Sequence, residues 1–176
     1  MGVTLSSAVG CELTVETPPE PTPTLTPSFD GPVATSDCSN GRKLTVGWVV
    51  DGDTLEVEND ERIRLVGIDT PETYGEVECY GPEASAQTKA LVTGAQICLT
   101  YDPAVTEQSN NIDVYGRTLG YVFFGESYAR FLNAELVETG YANDYPFTEG
   151  AVFEDYFREL EDYARRHNIG MWEACY

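Results

Sequence analysis

From Leu44 to Val66, apolar and polar residues alternate, and the alternation is interrupted twice by turn dipeptides, Asp51-Gly52 and Asn59-Asp60. A period of two with such punctuation fits an antiparallel meander; a helix would scatter the same apolar side chains around its circumference. The pattern predicts three strands, over 44–49, 55–58 and 63–66, with two more over 97–101 and 119–124. Gly81-Pro82-Glu83 opens an expected helix through about residue 93, since proline suits a first turn. Helical apolar spacing marks 127–139 and 149–167, with Gly140 and Gly170 as stops. Five short strands with interleaved helices point to a small closed barrel carrying helices, an α+β fold that is mainly β. Trp48 and Trp172 are expected to be packing residues, and His167 a surface or packing residue.

With 176 residues the chain is one domain plus an appendage, and no apolar run approaches the ~20 residues of a membrane helix. Residues 1–11 read as a leader: Ala8-Val9-Gly10 before Cys11 resembles the end of a lipoprotein signal, which makes Cys11 a candidate for lipidation. The start, Met1-Gly2-Val3-Thr4-Leu5-Ser6, also fits a myristoylation pattern, and an unmodified leader is the third reading. Residues 12–40 are rich in Thr, Pro and Glu and too poor in apolar content to fold, as expected of a disordered tether; the domain would then span 41–176.

The five cysteines fit an exported chain in which Cys11 stands apart and Cys38, Cys79, Cys98 and Cys175 form two disulfides. Buried free thiols in a cytosolic protein are the alternative. The cysteine spacing offers no zinc motif. Formal net charge is −20, with Lys43 and Lys89 the only lysines. That balance argues against simple Coulombic attraction to nucleic acid. The objection weakens in a salt-loving prokaryote, because the Debye length falls to ~3 Å at 1 M salt.

Three segments carry chemistry. The turn Asp51-Gly52-Asp53-Thr54 supplies a second acid that a turn does not require. In Arg64-Leu65-Val66-Gly67-Ile68-Asp69-Thr70-Pro71-Glu72, an arginine on a strand is followed by two acids at and beyond its end, and Pro71 stops the ladder. Asp113-Val114-Tyr115-Gly116-Arg117 adds another arginine ahead of the last strand. Asp53, Asp69 and the Thr70 carbonyl could hold a hard divalent cation. Glu72, left off the metal, could orient or deprotonate a water. Arg64 and Arg117 are planar forks for phosphate oxygens. Metal, base and guanidinium clamps are what cutting a phosphodiester requires.

These segments, in this order, resemble the staphylococcal (thermonuclease-type) nuclease family. Further matches are Cys79-Tyr80-Gly81-Pro82-Glu83-Ala84-Ser85-Ala86, Leu132-Asn133-Ala134-Glu135-Leu136-Val137 and the closing Asn168-Ile169-Gly170-Met171-Trp172. The resemblance covers about residues 44–172. It implies a five-stranded oligonucleotide-binding (OB) barrel with three helices and Ca²⁺-dependent hydrolysis of DNA or RNA, with water attacking phosphorus and 3′-phosphate ends formed. Carried over by position, Asp53, Asp69 and the Thr70 carbonyl match the calcium ligands, with Asp51 in the outer shell. Glu72 matches the general base, Arg64 and Arg117 the phosphate-binding arginines, and Tyr115 a tyrosine near the nucleotide's terminal phosphate, with Asp113 a supporting or substrate-binding residue beside it.

In that barrel the regions of Cys38 and Cys98 are neighbours, so Cys38–Cys98 with Cys79–Cys175 is the pairing the resemblance favours among three possible connectivities. The loop 73–79 looks shorter than in the staphylococcal enzyme, the segment 102–113 longer, and Tyr141 and Tyr145 match its tyrosine-rich stretch only loosely. The resulting expectation is a monomeric, secreted or lipid-anchored calcium-dependent nuclease. A surface module that binds nucleic acid or protein without cleaving it, and an acidic surface protein that binds calcium structurally, are the alternatives.

Overall fold

The structure, a computed structural model, describes residues 35–146 and 148–176. The expected leader, Cys11 and most of the tether lie outside the described residues. The alternating segment forms the meander: β1 (Arg42–Val49), β2 (Thr54–Val57) and β3 (Arg62–Leu65). There follow β4 (Ile68–Asp69), α1 (Gly81–Val92), β5 (Gln96–Thr100), α2 (Pro103–Ser109) and β6 (Thr118–Phe124). The remainder is β7 (Arg130–Phe131), α3 (Leu132–Glu138), β8 (Asn143–Asp144), α4 (Glu154–Arg166) and α5 (Met171–Ala174).

Antiparallel pairing gives the order β3-β2-β1-β5-β6, and a parallel pairing of β6 with β3 closes the barrel, with Ile63 opposite Thr118 and Arg64 opposite Leu119. This is the five-stranded OB barrel that the resemblance implies. Leu55, Ile63, Leu65, Ile97, Leu99 and Leu119 are fully buried inside it. Leu132 and Leu136 of α3 and Phe157 of α4 extend the core, and Phe131 stacks on Phe123 with ring centroids 4.5 Å apart.

Four local features differ from the alternation and spacing. Strict alternation would send Trp48 inward with Val46, yet Val46 and Val49 are buried and Trp48 is 58% exposed. The cause is a β-bulge at Gly47: Val46 faces Val57 while Trp48 faces Glu56, so two steps on β1 meet one on β2 and the phase inverts. Trp48 is therefore not a packing residue, whereas Trp172 is. The expected helix over 127–139 is cut short, because Ser127 and Tyr128 take left-handed backbone angles and Phe131 pairs with β6 before α3 begins. The final long helix begins at Glu154, after a turn through Gly150 (φ 81°).

The segment 102–113 holds a helix: Asp102 caps α2 by accepting from the Ala104 amide at 2.8 Å, and Pro103 occupies its first turn. The Asp102 carboxylate also accepts from the Tyr121 hydroxyl (2.7 Å) and the Val152 amide (2.8 Å), so a fully buried acid ties α2 to the barrel and to the approach of α4.

The cysteines pair as Cys38–Cys98 and Cys79–Cys175. The first joins the hydrogen-bonded turn at Thr35–Asn40 to β5, so the end of the expected tether is part of the folded unit. Among the described residues no helix is long and apolar enough to cross a membrane.

Candidate active site

The site grows from the β1–β2 turn. Thr54 of β2 pairs with Arg64 of β3, which brings Asp53, just before β2, beside the last residues of β3. The Asp53 carboxylate is buried and held at both oxygens: Oδ2 accepts from the Thr70 amide (3.0 Å) and hydroxyl (3.2 Å), and Oδ1 accepts from the Thr54 hydroxyl at 3.1 Å. Asp51 Oδ1 accepts from the Asp53 amide at 3.1 Å, and a buried Thr88 hydroxyl from α1 donates to the Gly52 carbonyl at 2.7 Å. Gly52 is required by close approach, since a Cβ there would lie 2.5 Å from Thr70 Oγ1.

Arg64 organises the acids. Its Nε lies 3.1 Å from Asp53 Oδ1, its Nη2 donates to Asp69 Oδ1 at 2.5 Å, and its Nη1 donates to the carbonyls of Leu65 (2.5 Å) and Ile68 (2.7 Å). Its side chain is only 8% exposed. Asp69 is further held by the small sheet of β4 with β8, where it faces Asn143. Glu72 is exposed on the following loop. That loop is closed on itself, the Glu72 amide donating to Glu78 Oε2 and the Glu78 amide to the Glu72 carbonyl, both at 3.0 Å. The Cys79–Cys175 bond ties the loop's end to the residue after α5.

Arg117 comes from the opposite side. Asp113 Oδ1 accepts from the amides of Tyr115 (2.9 Å) and Arg117 (2.8 Å), and its Oδ2 accepts from Arg117 Nε at 2.7 Å. Arg117 Nη1 reaches the Thr54 hydroxyl at 3.3 Å. Tyr115 is 81% exposed beneath the Arg117 guanidinium, 5.4 Å from its ring centroid.

Of these side chains, Asp51, Asp53, Arg64, Asp69, Thr70, Glu72 and Arg117 meet, with Pro71, at one polar cavity of about 130 Å³. A larger hollow of about 400 Å³ adjoins it and holds Asp113, Tyr115 and Tyr145. Tyr141 instead stacks on Tyr80 at 5.3 Å. On the other flank a hollow of about 590 Å³ is bordered by Val50, Asp51, Glu72, Tyr115 and Arg117.

Charge is crowded here. Burial and the neighbouring Asp53 carboxylate push Asp51 above the usual carboxylate range. Burial also pushes Asp69 up; Arg64 pulls against it, while Glu72, Glu78 and Asp51 add to the rise. Burial opposes ionisation of Asp113 too, but hydrogen bonds from Arg117 outweigh it and hold that carboxyl below its ordinary value.

An all-oxygen donor set with excess negative charge suits a hard cation that completes its shell with carbonyls and water. Among the described residues no three acidic, His or Cys side chains form a closed cage, because Arg64 lies between Asp53 and Asp69. An open site with two carboxylates fits calcium or magnesium better than zinc.

The sequence-level reading missed Thr54, Glu78 and Thr88. Thr54 is adjacent to Asp53 and could have been read as its support. Thr88 and Glu78 form their hydrogen bonds to backbone groups far along the chain or across a loop, and no local pattern marks them.

A family model described as staphylococcal nuclease homologue matches residues 62–174. This chain therefore belongs to the staphylococcal nuclease family and is a hydrolase of the nuclease class. Curated relatives agree. A thermonuclease of Staphylococcus intermedius is 32% identical over 151 residues, covering 82% of this chain and 84% of the relative. A thermonuclease of Staphylococcus hyicus is 31% identical, covering 81% and 83%. A micrococcal nuclease of Shigella flexneri is also 31% identical, covering 70% of each chain. The family match begins within β3, so it takes in Arg64, Asp69, Thr70, Glu72 and Arg117, while Asp51 and Asp53 join them through the pairing of β2 with β3.

Proposed function

We propose that this protein is a calcium-dependent nuclease that hydrolyses DNA or RNA to products with 3′-phosphate ends. The observation that carries this reading is the convergence of Asp53, Asp69, Thr70, Glu72, Arg64 and Arg117 on one small polar cavity. Asp53, Asp69 and the Thr70 carbonyl would hold the ion, with Asp51 oriented behind them. Bound calcium supplies Lewis-acid polarisation of a phosphoryl oxygen.

Glu72, exposed and among the described residues held only through its backbone, is free to take a proton from the attacking water as the new P–O bond forms and the 5′-oxygen departs. Arg117 has its Nε and Nη1 anchored by Asp113 and Thr54, and its Nη2 has no partner among the described residues. That nitrogen is available to the phosphate oxygens on which charge builds. Arg64, largely committed to protein oxygens, contributes mainly by holding Asp53 and Asp69 apart and aimed.

The two disulfides favour an oxidising compartment over the cytosol. We place the enzyme outside the cell or on its surface as a monomer, anchored by lipid at Cys11, in a halophilic prokaryote. The charge of −20 supports the last point, because dense acid repels itself least at high ionic strength.

The test is digestion of single- and double-stranded DNA and RNA with calcium across a salt series. Cleavage that rises toward molar salt and leaves 3′-phosphate ends is expected. Products with 5′-phosphates would overturn the assigned direction of attack, and binding without cleavage would favour the non-catalytic module.

A further inference from the structure

A nuclease with this charge has little basic surface with which to hold a polyanion. Of its ten Lys and Arg residues, seven arginines sit in ion pairs with acids. Screening at high salt would weaken what phosphate attraction remains. Affinity must then come from contacts that salt does not screen, and base stacking on aromatic rings is the strongest of these for a nucleic acid.

The structure exposes a suitable ring where the alternation places a buried one. The bulge at Gly47 turns Trp48 outward to 58% exposure while Val46 and Val49 on either side remain buried. Turning one large apolar side chain into water loses burial that the core could have used, and bulges recur beside active sites where a side chain is re-aimed. Lys89 of α1 places its Nζ 5.7 Å from the centre of the Trp48 ring. Among the described residues Lys89 makes no ion pair, so an ammonium and an indole face solvent together.

The ring is also connected to the site. Val50, two residues on, accepts a hydrogen bond from the Tyr74 hydroxyl at 3.2 Å, and Tyr74 is 65% exposed. Val50 borders the hollow that continues past Asp51 and Glu72 to Arg117 and Tyr115. At the ~3.3 Å rise of a strand, Trp48 lies about 10 Å along the chain from Asp51. That distance falls within the reach of a single strand bound to an OB barrel, whose sites span about 4–16 nucleotides.

We propose that Trp48, with Lys89 beside it and Tyr74 bonded to the nearby Val50 carbonyl, is a stacking subsite for the bases of single-stranded nucleic acid. This inference rests on the nuclease reading above and names the form of substrate which that site takes. Bases in a duplex are stacked on one another and cannot lie on the indole, so the subsite favours single strands. Lys89 supplies the one local phosphate contact, and its contribution fades with salt while the stack remains.

The experiment is titration of the full chain with an oligothymidylate and with a duplex, reading tryptophan fluorescence, together with steady-state cleavage. Quenching by the single strand is expected. Trp48→Ala should raise Kd and KM roughly 5- to 100-fold, the range for losing one base–aromatic stack, with a smaller change in kcat. Trp48→Phe should restore affinity without the quench, which assigns the signal to Trp48 rather than Trp172. At 1 M salt the Trp48→Ala penalty should persist and that of Lys89→Ala should vanish.

Trp48→Ala binding within two-fold of the unmodified chain, or an equal penalty on duplex, would overturn the subsite while leaving the nuclease reading intact. Quenching at Trp48 in a chain that cleaves nothing would overturn the nuclease reading and leave the subsite standing.

Discussion

The two walls of the acidic cavity are built differently. The wall made by β2, β3 and β4 is buried and rigidly wired. Asp53 accepts from two threonines, and Arg64 spends its guanidinium on two carboxylates and two carbonyls. The facing wall is a short exposed loop closed by its own backbone hydrogen bonds and by the Asp113 carboxylate, with Arg117 projecting from it. In the first wall the residues that bind are also the residues that hold the fold together. In the second they are separable, and a side chain can be removed without disturbing the barrel. Position and stability are coupled on one side of the cavity and less tightly so on the other.

The sharpest way to break this contrast begins with Glu72, which belongs to the acidic segment yet among the described residues is held only through its backbone. Glu72→Gln should cut kcat by about 10²- to 10⁴-fold, the usual worth of a general base, while oligonucleotide affinity and thermal midpoint stay near those of the unmodified chain. Unchanged turnover would remove its role.

Next come the two arginines. Arg117→Ala should lose about 10²- to 10³-fold in kcat, as when one transition-state donor is deleted, with little change in Tm. Arg64→Ala should lose activity and also about 3–5 kcal/mol of stability, because it strands buried Asp53 without its partner. Equal Tm values for the two variants would erase the distinction between the walls.

A smaller effect concerns the support behind Asp69. Asp144 pairs with Ile68 in the β4–β8 sheet, and burial, aided by Glu161, pushes its carboxyl up to about 6 although Arg158 opposes the rise. Glu154 and Asp155 face it as well. A carboxyl whose folded pKa is raised favours the folded state when protonated. Its contribution is therefore present near pH 4 and lost as pH climbs through about 6. Asp144→Asn should raise Tm by a few degrees at pH 7 and flatten its pH dependence between about 4 and 6. A lowered Tm at pH 7 would refute that reading.

The sequence made the barrel and its acids legible because both are encoded locally. Alternation and turn dipeptides specify the meander, and Asp53, Asp69 and Glu72 stand at its turns and strand ends, where a side chain leaves the ladder. What stayed hidden depends on phase or on distance. One extra residue at Gly47 inverted the exposure of Trp48, which no count of apolar residues reveals. The helix α2 arose where a long loop was expected, from a single capping aspartate whose main partners, Tyr121 and Val152, are remote in sequence. Thr88 reaches the Asp51–Asp53 turn from 36 residues away. The β4–β8 pairing is too short to leave any periodic trace.

The most direct test of the central claim is calorimetric titration of calcium into the unmodified chain and into Asp53→Asn and Asp69→Asn, with cleavage of one oligonucleotide followed in parallel. The account expects a single binding event whose affinity matches the calcium concentration for half-maximal cleavage, weakened in both variants, and no cleavage in chelator. Full cleavage in chelator, or calcium bound with the same affinity by both variants, would contradict it.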